Sequence, residues 1–176
     1  MTTSIFLPTH LRFAIYLLAL LPTFSHALES DREQPIKIQA DAAIVDETNG
    51  SSVYKGNVII SQGTLKVTAN EVEIFTAAGE VIQIIATTDK DSAMLAHYQQ
   101  QINEAMEMVV ADAQKIIYLI QEERLHLSGD ARLQKVQDLF TGQLLSYDLE
   151  RGIVNLNSLG GSDRVNMTIT PKESAL

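Results

Sequence analysis

The sequence predicts an all-β protein, an antiparallel roll wound from a repeated unit. Three observations carry that reading. "VYKGNVIISQGTLKVTANEVEIF" (Val53–Phe75) and "HLSGDARLQKVQDLFTGQLLSYD" (His126–Asp148) align without a gap at an offset of 73 residues. Apolar and polar residues alternate through most of the chain, the period of a strand with one buried face. A small residue followed by a polar one recurs after alternating runs, at Ala40-Asp41, Ala69-Asn70, Ala111-Asp112 and Gly142-Gln143.

Taken in order, the chain opens with a processing signal. Residues 1–27 hold one basic residue, Arg12, and no acid. "FAIYLLALL" (Phe13–Leu21) has the length of a signal-peptide core, Pro22 ends it, and Ser25 and Ala27 supply the small residues of a cleavage site. The run is too short to span a bilayer. The expected organisation is a cleavable signal peptide at 1–27 and a single domain at 28–176. Cleavage removes Arg12 and takes the formal charge from −9 to −10. So acidic a chain lacks the clustered Lys and Arg that phosphate backbones require, which disfavours nucleic acid, and none is expected as a partner. It has no cysteine, which excludes disulfides, thiol catalysis and Cys-ligated metals.

The strands follow from parity. One face collects Ile36, Ile38 and Ala40, with Lys37 and Gln39 opposite; then Tyr54, Gly56, Val58 and Ile60; then Leu65, Val67 and Ala69; and, in the second copy, Leu125, Leu127, Gly129, Ala131 and Leu133. After each small–polar pair the apolar residues change parity: Val45 after Ala40, Val72 and Ile74 after Ala69, Ile116 and Tyr118 after Ala111, Leu145 and Tyr147 after Gly142. An odd step keeps one side buried only if the strand bends there. The pairs are therefore expected to be corners at which the chain passes from one sheet to an opposed one. Gly56-Asn57 and Gly129-Asp130 fall inside alternating runs, where glycine marks a bulge more readily than a hairpin turn.

One stretch pulls two ways. In Ser92–Glu123, Tyr98, Ile102, Ala105, Met106 and Val109 have helical spacing, whereas the repeat requires β structure. Strands are expected from about Val109 onward, with 99–105 unassigned and 92–108 as a whole left between strand, loop and helix. The last strand is Arg164–Thr170, which alternates Val165, Met167 and Ile169 and stops at Pro171, a residue unable to donate to a ladder.

No chemistry-bearing constellation appears. Beyond residue 27 the histidines are His97 and His126, without a matching ligand cluster, and no HExxH, GxSxG or phosphate-cradling loop is present. Asp89–Asp91 reads as a solvated turn, and most carboxylates fall on outward phases or in turns, so a glycosidase pair has no support. The expectation is a protein that is not an enzyme and has no cofactor or metal. The inward positions are Ile, Val, Leu and Tyr with interspersed Ala and Gly. They suit either a filled core, as in a secreted adaptor or structural domain, or an apolar groove between two sheets. A groove would draw ~0.8 kcal/mol from each buried lipid methylene.

"QPIKIQAD", "YKGNVIISQGTLKVTANEVEI", "LSGDARLQ" and "SDRVNMTITP" resemble the OstA-like family of periplasmic lipopolysaccharide-transport proteins, over Gln34 to Pro171. The resemblance implies an open, slightly twisted antiparallel β-jellyroll that holds the acyl chains of lipopolysaccharide (its lipid A part) inside. It also implies head-to-tail self-association into a bridge in the periplasm, from an inner-membrane LptC-like protein to an outer-membrane LptD-like one. A cleavable signal and a chain that stops at Leu176 fit the free periplasmic member best. Residues on the inward phase, or matching inward family positions, are Ile36, Ile38, Tyr54, Val58, Ile60, Leu65, Val67, Ile74, Leu95, Ile116, Tyr118 and Leu133. These are the expected lipid contacts. The first and last strands leave backbone groups unpaired. The expected joining edges are therefore Ile36, Lys37, Ile38, Gln39 and Ala40 at one end, and Arg164, Val165, Asn166, Met167, Thr168 and Ile169 at the other. Residues 92–108 depart from the family pattern, and the basic tail of some relatives is missing.

Overall fold

The computed structural model describes residues 31–89, 94–103, 106–158 and 164–171. The expected signal peptide lies outside them. A 3-10 turn at Asp31–Glu33 precedes twelve strands: β1 (Lys37–Gln39), β2 (Ala42–Asp46), β3 (Ser51–Gln62), β4 (Leu65–Ala77), β5 (Glu80–Thr87), β6 (Ala96–Gln101), β7 (Met108–Ala113), β8 (Lys115–Leu119), β9 (Arg124–Lys135), β10 (Asp138–Asp148), β11 (Ile153–Asn157) and β12 (Asn166–Thr168).

The four long strands, β3, β4, β9 and β10, bend and serve both layers. One layer runs β1, the second half of β3, the first half of β4, β6, β7, the second half of β9, the first half of β10, then β12. The other runs β2, the first half of β3, the second half of β4, β5, β8, the first half of β9, the second half of β10, then β11. Every pairing is antiparallel. The bends join the layers along one side. Along the other side the 3-10 turn crosses between them.

The 73-residue offset holds for the whole domain. β2 and β3 recur as β8 and β9 with identical bounds, and β4 and β5 start where β10 and β11 do. β6 pairs with Lys66–Thr68 of β4, and β12 pairs with the matching Leu139–Thr141 of β10. A six-strand unit therefore occurs twice.

The bends have a physical cause. Gly56 and Asn57 have φ of 76° and 47°, and Gly129 and Asp130 have 75° and 50°. Two left-handed residues in succession make a bulge, and the register with the next strand shifts between Lys55 and Val58. Each bulge is clasped from the preceding corner. The Asp41 backbone N–H donates to the Gly56 carbonyl at 3.0 Å, and that of Gln114 to the Gly129 carbonyl at 2.8 Å. Asn57 Nδ2 donates to Asp41 Oδ2 at 2.9 Å, and Gln114 Nε2 donates to Asp130 Oδ2 at 3.0 Å. Carboxylate and amide have exchanged places between the two copies.

Two expectations change. The corner read at Ala111-Asp112 lies at Gln114, between β7 and β8. Gln114 stands 73 residues after Asp41 and makes its bond, whereas Ala111 and Asp112 stay in the ladder of β7. The helical spacing of Ser92–Glu123 is coincidental: β6 and β7 form a ladder there, and Tyr98 is fully buried opposite Ala111. Tertiary pairing overrides propensity at this point; Ala105 lies outside the described residues.

Candidate functional site

Alternation aims one face of every layer inward. Eight of the expected contacts, Val58, Ile60, Leu65, Val67, Ile74, Ile116, Tyr118 and Leu133, belong to one buried cluster, while Ile36, Ile38, Tyr54 and Leu95 are half-buried. The same cluster contains Ala86, Ala96, Ala111, Ala113 and Ala131. Small side chains let the layers approach, and tyrosines fill the width: the Tyr98 and Tyr118 rings meet edge to face at 5.4 Å between centroids. Burial pushes the Tyr98 phenol well above its ordinary range, and those of Tyr118 and Tyr147 upward too. All three are neutral hydrogen-bond donors at ordinary pH. The described inward side chains thus pack against one another across the two layers. A hollow of about 340 Å³ lies at the corner beside β12, lined by Leu95, Arg132 and Arg164 among others.

The open side is strapped. Asp31 accepts from the Thr64 backbone N–H at 2.7 Å and the Thr64 hydroxyl at 2.6 Å, both on the first layer's margin, and from Gln100 Nε2 at 3.0 Å. Arg32 donates across to the second layer, to the Ile120 carbonyl at 2.7 Å and Glu123 Oε1 at 2.6 Å. These contacts are polar and largely exposed, so each is worth little alone. The sequence reading missed this strap, since nothing in "SDRE" signals two partners 33 and 91 residues away.

The ends are the second feature. β1 and β2 each pair only with β3, and β11 and β12 only with β10, among the described residues. Both edges expected from the sequence are there, though shorter: Lys37–Gln39 and Asn166–Thr168. β6, held by the matching three residues of β4, runs to six because β7 pairs its other side, a neighbour that β12 does not have among the described residues. Two further edges, β2 and β11, escaped the sequence reading; the offset could have found them, since "AAIVD" sits over "KIIYL". Internal comparison shows what the ends lack. Tyr118 of β8 is 4% exposed beneath β5, whereas Val45, its counterpart in β2, is 60% exposed. Tyr98 of β6 is 0% exposed against β7, whereas Met167, its counterpart in β12, is 57% exposed. Among the described residues no group of three or more His, Cys, Asp or Glu is placed to hold a metal.

A double-layered antiparallel roll with an apolar interior and unpaired strands at both ends defines a wound β-jellyroll of the OstA type. The chain belongs to the family described as LptA/(LptD N-terminal domain) LPS transport protein, whose model matches residues 37–153. It is similar to the lipopolysaccharide export system protein LptH of Pseudomonas aeruginosa, 33% identical over 89% of this chain and 91% of that one. It is also similar to the lipopolysaccharide export system protein LptA of Escherichia coli (strain K12), 29% identical over 89% of this chain and 81% of that one. The crystal structure of LptH from Pseudomonas aeruginosa, described as the LptA-homologous periplasmic component of the lipopolysaccharide transport device, superposes with a TM-score of 0.71 at 30% identity. It covers 81% of this chain and 100% of that one.

Proposed function

We propose that this protein is a periplasmic bridge that carries lipopolysaccharide from the inner to the outer membrane, acyl chains inside the roll and subunits joined edge to edge. It performs no catalysis, and residues 1–27 are a cleavable export signal ahead of a single domain at 28–176. The observation that carries the reading is the internal repeat. Inside the molecule, β6 meets β7 and β5 meets β8, which seals the first copy onto the second. Applying the same pairing between molecules sets β12 of one subunit on β1 of the next, and β11 on β2. The 73-residue offset and the alignment of β12 on β6 give the register: Met167 opposite Ile38, and Asn157 opposite Val45. Such a joint is heterologous and does not close, so it produces a rod with a continuous interior. The same free edges serve an LptC-like partner at one membrane and an LptD-like partner at the other.

The packed interior supports a specific way of loading. The layers are joined covalently along the bends and held by the polar strap on the other side. A chain entering from that side parts the layers and replaces contacts among Ile36, Ile38, Tyr54, Val58, Ile60, Leu65, Val67, Ile74, Leu95, Ile116, Tyr118 and Leu133 with contacts to methylenes. Photo-crosslinkers at Ile38, Leu95 and Tyr118 should capture lipopolysaccharide, and those at the outward Lys37, Lys66 and Thr68 should not. Equal capture from both sets would refute the interior site. Deleting residues 164–176 should leave a folded monomer that binds lipid and no longer forms rods by light scattering; undiminished rods would remove the edge joint.

A further inference from the structure

Among the described residues, the Tyr147 hydroxyl is the one buried side-chain polar atom without a hydrogen-bond partner. Tyr147 is 0% exposed. It faces inward from the second half of β10, in register with Leu125 of β9 and Val154 of β11. The other buried tyrosines are provided for: the Tyr98 hydroxyl donates to Gln100 Oε1, and the Tyr98 and Tyr118 side chains are hydrogen-bonded to each other.

The fold does not ask for a hydroxyl here. The counterpart 73 residues earlier is Ile74, buried at 3% exposure in the same place on β4. A phenylalanine would fill the space of Tyr147 without leaving a buried donor unpaired, a state that is unfavourable in itself. Location adds a second observation. Lys135 ends β9 at the margin of the opposite layer, on the open side, and its Nζ lies 5.8 Å from the centroid of the Tyr147 ring. An unpartnered donor inside and a cation at the rim therefore stand together where a chain would enter.

We infer that Tyr147 is a specificity-determining residue, whose hydroxyl donates a hydrogen bond to an oxygen on the head-end of an acyl chain, an ester carbonyl or a chain hydroxyl. Lys135 holds the rim beside it, where an anionic head group stays in water. The inference rests on the lipid-carrying reading above and adds the chemistry the lipid must have: apolar chains that bear oxygen near their attachment. A plain hydrocarbon tail fills the interior equally well and leaves the hydroxyl unpaired.

The test compares Tyr147→Phe, Tyr98→Phe and the wild-type protein, with two probes: purified lipid A, and a long-chain alkyl sulfonate whose tail carries no oxygen. Tyr147→Phe should raise the urea midpoint while weakening lipid A binding about two- to tenfold, the worth of one neutral hydrogen bond. Its affinity for the alkyl sulfonate should be unchanged. Tyr98→Phe, which removes a satisfied hydroxyl, should lower the midpoint instead. Wild-type affinity for lipid A in Tyr147→Phe, or an equal loss for both probes, overturns the inference while leaving the lipid reading intact. A wild-type protein that binds no lipid A overturns both.

Discussion

Replacing Gly56 with alanine tests the device that bends the strands and so gives the roll its two layers. At φ 76° a side chain costs about 1–2 kcal/mol in backbone strain. The added Cβ would also lie 2.3 Å from Asp41 Oδ2 and 2.9 Å from the Asp41 Cβ. The carboxylate must withdraw, breaking its 2.9 Å bond from Asn57 Nδ2, a further loss of about 1 kcal/mol. Gly56→Ala should therefore destabilise by about 2–3 kcal/mol, which lowers a urea midpoint by roughly 1 M or more at the slopes typical of small domains. Gly79→Ala is the control: its φ is 83°, but nothing lies within 4 Å of the added Cβ, so only the backbone part remains. In an Asp41→Gly background the two substitutions should converge, because the carboxylate and the Asp41 Cβ that the new methyl would meet are both gone. Equal midpoints for Gly56→Ala and Gly79→Ala in the wild-type background would refute the clasp.

His97 of β6 bonds Asp112 of β7 at 2.8 Å, with Gln99 on its other nitrogen and the Lys66 ammonium opposing. The Asp112 bond is the largest cause that raises the His97 pKa above 6.5. Its stabilising contribution is therefore complete below about 6.5 and lost as pH rises through the higher folded value. Urea midpoints of the wild type should fall across that window relative to His97→Gln; parallel profiles would discount the pair. Arg32→Ala removes an ion pair whose side chains are 46% and 41% exposed, so stability should drop by less than about 1 kcal/mol while lipid A dissociates faster in stopped-flow. An unchanged off-rate would deny the strap a part in retention. Val45→Lys places a charge on the β2 edge and should shorten rods in light scattering without changing the monomer's melting; full-length rods would confine the joint to β1 and β12.

The alternation and the 73-residue offset determined the β class, the inward face and the positions of the bulges, because side-chain parity and the left-handed tolerance of Gly-Asn and Gly-Asp are local properties. Gly56, Gly129 and the buried faces of β3, β4, β9 and β10 were legible for that reason. What stands opposite each strand was not local. Gln114 rather than Ala111-Asp112 makes the third corner because it reaches the Gly129 bulge, and Tyr98 lies in a strand because β4 and β7 flank it. Only the tertiary structure decided that Asp31 and Arg32 tie two layers together, that Val45 and Met167 are uncovered while Tyr118 and Tyr98 are sealed, and that the Tyr147 hydroxyl is left unpaired. Each of these depends on which neighbour is present or missing across a space the chain encloses only after both copies of the repeat have wound together.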